Sequence, residues 1–175
     1  MILVGKNINT KIYSNTAIER HPVPILGIDF KLKIIYKNVK ITELDIEGRT
    51  IKISLPNKYK KMSSMEILDL AIEKMYEQVA KVEIERAMEK TRIMLGFAPD
   101  EYEIKAIKSL GKCESNKITI NPQVVKYNRK IIDYVVLHQY CHLKYKTHSN
   151  SFCKLIEKYD PEHKKYEKFL LNKLV

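Results

Sequence analysis

Three of the chain's five histidines, His138, His142 and His148, fall within eleven residues in the pattern H-x-x-x-H-x5-H. No other feature limits the possible folds as tightly. Residues four apart on a helix project from one face, so His138 and His142 can each offer a ring nitrogen to a single metal ion. Their neighbours Ile131, Ile132, Val135, Val136, Leu137, Cys141 and Leu143 make the segment apolar enough to be buried. A buried helix seldom carries two imidazoles without partners for them. The partners could be backbone carbonyls, which would make both histidines core residues, and HxxxH alone does not decide the matter. His148 shifts the balance toward metal. It lies beyond Lys144 to Thr147, where a helix can end and the chain fold back, so it can complete a three-histidine zinc site with a fourth position open to water.

The residue after His138 bears on chemistry. In H-E-x-x-H zinc peptidases that residue is a Glu, which takes the proton of the water attacking the peptide carbonyl. Here it is Gln139. An amide keeps the shape of Glu and can hydrogen-bond water, but it has no carboxylate to accept a proton. The site as written is expected to bind Zn2+ and to be catalytically crippled. A related zinc class with Gly at the centre of the five-residue spacer is disfavoured, because that position is Tyr145, which does not readily take a positive φ. Cys141 points about 100° away from His142 on a helix and reads as core.

At 175 residues the chain can bury a real core. Its N-terminal part, 1–62, reads as β-rich. Ile41, Leu44 to Ile46 and Ile51 to Leu55 alternate around a turn at Glu47, Gly48 and Arg49, with a partner strand from Phe30 to Tyr36. His21 to Pro24 reads as an extended linker. The remainder, 63–175, opens with a capping box of Ser63 and Glu66, and Ile67, Leu70, Ala71, Met75, Val79 and Val82 then recur at helical spacing toward Leu95, where Gly96 and Pro99 stop the helix. Glu103 to Lys108 and Lys117 to Asn121 read as two strands joined by a loop at Gly111. The histidine helix is expected over about 129–146, followed by a helix capped near Ser149 and a last one with Tyr166, Phe169, Leu170 and Leu174 on one face. The order is that of an α+β fold.

No apolar run is long enough to span a bilayer, and Gly5, Lys6 and Asn7 interrupt the apolar start, so neither membrane insertion nor secretion is expected. Three unpaired-looking cysteines, Cys113, Cys141 and Cys153, fit a cytoplasmic protein with reduced thiols. The net charge of +11, carried mainly by lysine, suits contact with nucleic-acid phosphates, but solvated helix faces account for it better. Oligomeric state leaves no mark on the sequence.

The segment Ile131 to Ser149 resembles the signature of the YgjP-like zinc metallopeptidases, relatives of the SprT and WLM groups, whose helix reads YVVxHELCHLxxxxHS. Lys108 to Glu114 and Lys117 to Asn121 are similar to that family's SRWGSC loop and xIxLN strand. Ser151 to Cys153 and Tyr159 to Lys164 are similar to its FWxLVxxxxPDYK ending. The likeness is good over roughly 104–170 and vague before. It implies a zincin-like metallopeptidase domain acting on a peptide or protein substrate, with His138, His142 and His148 as zinc ligands and position 139 as the general base. It also makes Ile118, Thr119 and Ile120 the expected shelf on which substrate pairs by its main chain. Leu110 and Cys153 replace two family tryptophans, and Gln139 replaces the Glu. The last exchange fits a deliberate inactivation, favoured by the intact ligand set, or a natural pseudoenzyme. In the second case the domain would be a zinc-stabilised binding module, with protein on DNA as the target that the SprT and WLM relatives suggest.

Overall fold

The structure is a computed structural model that describes residues 22–61 and 64–172. The Met1 to Asn7 start, His21, the Ser63 half of the capping box and Leu174 lie outside the described residues. The architecture is α+β and divides into two compact units, one holding Asp29–Glu73 and the other holding Ile25–Ile28 and the described chain from Lys74 onward. The division falls inside the first helix.

The first unit is built on a four-stranded sheet in the order β1-β2-β4-β3. β1 (Val23–Ile25) is a short strand where the sequence reads as linker. β2 (Ile28–Lys37) runs parallel to β4 (Thr50–Pro56), with Leu32 opposite Ile51 and Ile34 opposite Ile53. β3 (Glu43–Glu47) returns antiparallel to β4 through a turn in which Gly48 takes φ 58°. Side chains alternate across a strand, so Leu32, Ile34, Ile51 and Ile53 share one buried face. β3 is exposed along its whole length, as an edge strand rich in acidic residues can be.

The long helix α1 (Ser64–Leu95) runs from the first unit into the second. Its buried stripe there is Tyr76, Ala80, Ile84, Ala87, Met88 and Thr91. Of the expected face, Ile67 and Met75 are buried, but Leu70 and Val82 are exposed, at 57% and 66%. Positions two apart on a helix lie about 200° round its axis, so a stripe through Ala80 and Ile84 turns Val82 outward. Gly96, with φ 74°, ends the helix and donates its N–H to the Arg92 carbonyl.

A three-stranded sheet follows, in the order β5-β7-β6. β5 (Glu101–Ile104) is parallel to β7 (Lys117–Ile120), and β6 (Gly111–Glu114) is antiparallel to it. The segment around Gly111, expected as a loop, is thus a strand. Its hairpin closes through Ser115 and Asn116, both left-handed at φ 45° and 63°, the geometry of a two-residue turn that follows the twist of the strands.

The histidine helix α2 (Arg129–Lys144) starts where the Asn128 side chain accepts from the Ile131 N–H. It is followed by α3 (Asn150–Tyr159), capped by Ser149, and α4 (His163–Leu171). Tyr166 and Leu170 are buried, whereas Phe169 is 40% exposed with its ring edge on Tyr127. α2 lies beside α1, joined by a cluster of charges. Buried Glu83 takes three contacts of 2.6 to 3.1 Å from Arg129 and one of 3.0 Å from Arg86, and Asp133 takes 2.7 Å and 2.6 Å contacts from Arg86 and Lys90. Tyr140 adds a bond from its hydroxyl to the Met88 carbonyl.

The Arg129 bonds hold the Glu83 carboxyl below the usual carboxylate range, against burial, which acts the other way. The stabilisation is therefore present above the unfolded value of about 4.3 and is lost as pH falls through the lowered folded value. Glu83→Gln is expected to cost about 1–3 kcal/mol at pH 7 in urea unfolding. The difference from the parent should shrink below about pH 4.

Candidate metal centre

Helical spacing places His138 and His142 on one face of α2, one turn apart. After Lys144 the backbone leaves the helix: Tyr145 is extended at φ −127° and donates its N–H to the Cys141 carbonyl. Four residues later Ser149 caps α3, accepting the Phe152 N–H on its side chain. His148 sits in this short return and comes back to the same point. The Nε2 of His138 lies 3.2 Å from the Nε2 of His142 and 3.0 Å from that of His148. One ligand atom from each of the three falls within 4.8 Å of the others.

The second ring nitrogens explain this arrangement. Nδ1 of His142 lies 3.0 Å from the Tyr145 carbonyl oxygen, which can only accept, so Nδ1 carries the proton and Nε2 presents a lone pair. His138 has its Nδ1 3.4 Å from the Tyr134 hydroxyl and likewise turns Nε2 toward the other two rings. Lone pairs converging on one point fit a shared cation. Two nitrogens bound to one tetrahedral zinc at about 2.0–2.1 Å lie roughly 3.3 Å apart, close to both short separations here. An outer partner on the far ring nitrogen is what metal-ligating imidazoles use to fix their tautomer.

Electrostatics act the same way. Burial, with the like charges of His142, His148 and His163 adding to it, pushes the His138 pKa down to about 3. His142 is also lowered, by burial first, although its bond to Tyr145 opposes the shift. Neutral imidazole is the form that binds metal. Cys141 is fully buried and its thiol is pushed up to about 12 by burial, so no thiolate competes from the same helix.

Gln139 points away from the solvent and is 7% exposed. It lies against β6: a Cβ built on Gly111 would stand 2.9 Å from Gln139 Cγ. Gly111 is required for this close approach and not for an unusual φ. Sequence reasoning did not single out this contact, although an isolated Gly within a strand is the usual mark of one. The expected shelf at Ile118, Thr119 and Ile120 does not fit the topology. β7 is the central strand, paired on both sides, with Ile118 and Ile120 at 0% exposure and the Thr119 hydroxyl on Glu103. The edge strand packed against α2 is β6. Of the tyrosines on α2, Tyr134 stands on the Nδ1 side of His138, away from the converging nitrogens, and Tyr140 is in the core.

A helix carrying HxxxH, a returning third histidine and a small mixed sheet alongside together define a metallopeptidase domain of the zincin type. The chain belongs to the YgjP-like, metallopeptidase domain family, whose model matches residues 6–173. It is similar to the metallopeptidase zymogen of Pyrococcus abyssi abylysin, at 29% identity and TM-score 0.47 over 52% of this chain and 94% of that one. It is also similar to the metallopeptidase zymogen of Methanocaldococcus jannaschii jannalysin, at 19% identity and TM-score 0.45 over 53% and 91%. No curated protein matches the chain. No helix among the described residues is long and apolar enough to cross a membrane.

Because the fold lowers the pKa of His138, the unfolded chain takes up this proton below about pH 6.5 while the folded chain does not until about pH 3. The metal-free protein is expected to lose stability as pH falls through that window. Urea unfolding at several pH values should show a shallower loss for His138→Gln, and equal slopes for the two proteins would contradict the assignment.

Proposed function

We propose that this domain is a zinc metallopeptidase site in which His138, His142 and His148 hold the metal and position 139 is the seat of the general base. The reading rests on one observation above all: three imidazole nitrogens from a helix and its return loop meet within 4.8 Å. Zinc, when bound, supplies Lewis-acid activation of water and of the peptide carbonyl. The protein's own contribution is orientation. Tyr145 and Tyr134 fix the far sides of two ligand rings, and the apolar wall of α2 limits water behind them.

Substrate would join as an added strand on β6. Gly111–Glu114 forms an edge of its sheet, and an extended peptide pairing with it by main-chain hydrogen bonds would run beside residue 139, which Gly111 touches. A Glu at that point could take a proton from water and pass it to the leaving amine. Gln139 can hold a water but accepts no proton, so the sequence as it stands lacks this step. That same Gln139 favours a second reading, a zinc-stabilised module that binds peptide without cleaving it.

Gln139→Glu is expected to raise hydrolysis of an unfolded protein substrate by about 100-fold or more, with zinc content unchanged at one per chain. His142→Ala should lose tight zinc binding. A Gln139→Glu protein that holds zinc and cleaves no peptide would favour the binding module, and full zinc occupancy in His142→Ala would sink the ligand set.

A further inference from the structure

His148 differs from the other two imidazoles in how it is held. His138 and His142 project from α2, and each has a polar partner at Nδ1. His148 lies outside any helix, is exposed, and among the described residues has no hydrogen bond at its Nδ1. Something else has to orient it. The ring of Phe152, on the first turn of α3, has its centroid 4.7 Å from that of His148 at an interplanar angle of 86°. It also lies 5.0 Å from His138 and 4.7 Å from His142. One aromatic ring therefore touches all three imidazoles, and it is only 3% exposed. The Ser149 cap ties the Phe152 N–H to the residue next to His148, so ring and ligand move as one short unit.

We infer that Phe152 is a positioning residue of the metal centre, which stands in for the missing hydrogen bond of the third ligand and sets the direction of His148 Nε2. The inference rests on the three-histidine reading of the site. An edge-to-face contact of this kind favours one ring orientation over others. Swinging His148 out of line with the other two nitrogens would leave a two-histidine site. Loss of an outer-shell partner of a metal ligand typically costs 10- to 100-fold in affinity, and that scale applies here through His148.

The test is a double-mutant cycle read by zinc competition against a chromophoric chelator. Phe152→Leu keeps an apolar side chain but removes the flat ring. It should weaken zinc binding by about 10-fold or more in the parent protein, and by less than about 3-fold when His148→Ala is already present, because the residue it acts through is gone. Equal losses in both backgrounds, or none in either, would overturn the inference. The urea midpoint of the metal-free variant separates this effect from a general loss of fold, and Phe152→Met serves if the Leu variant does not fold. A parent protein that binds no zinc would refute the metal reading itself. The ring contact is then read in the metal-free protein: removing Phe152 should shift the His148 ring-proton resonances, and unchanged resonances would refute the positioning role.

Discussion

Three imidazole Nε2 atoms directed at one point constitute the constraint that organises the second unit. They lie 3.0 and 3.2 Å apart, and one far nitrogen is fixed as a donor, so the set suits a shared cation held by neutral imidazoles. Each part of the surrounding structure meets a requirement of that convergence. The helical repeat supplies two of the rings, and an abrupt helix end at Tyr145 supplies the reversal that returns the third. The cluster of Glu83, Arg86, Arg129 and Asp133 fixes α2 against α1, so the two helical rings stand on a rigid support.

Burial contributes in two ways. It removes water from α2 and so keeps His138 neutral over the range in which a free imidazole would be protonated. It also brings β6 close enough to α2 that only glycine fits at position 111. The second effect sets residue 139, the neighbour of the first histidine, against the edge strand β6. Under the proposed function, a side chain there would meet both a peptide paired to β6 and the water to be activated. Gln139 retains the position and the shape of a base without its proton affinity.

The convergence of the three histidines was legible because residues four apart share one face of a helix, and His148 needed only a helix end at Lys144 to Thr147. Family likeness in the helix and in the segments around it pointed to the same residues. Much less could be read where partners are distant in sequence. Leu70 and Val82 fit a helical repeat but lie off the buried stripe, since α1 carries more apolar positions than one face can cover. Strand β6 was hidden because Gly111, Lys112, Cys113 and Glu114 show no apolar alternation, and its pairing comes from the left-handed turn at Ser115 and Asn116. With β6 unseen, β7 looked like an edge and Ile118 to Ile120 like a shelf. Phe152 carries no role of its own within the Ser151 to Cys153 likeness; only the fold brings three imidazole rings around it.

X-ray absorption at the zinc edge measures the central claim without reference to activity. On the zinc-loaded protein the account predicts three imidazole nitrogens at about 2.0–2.1 Å, one further light-atom ligand and no sulfur. A shell containing thiolate sulfur at about 2.3 Å, or only two imidazoles, would contradict it.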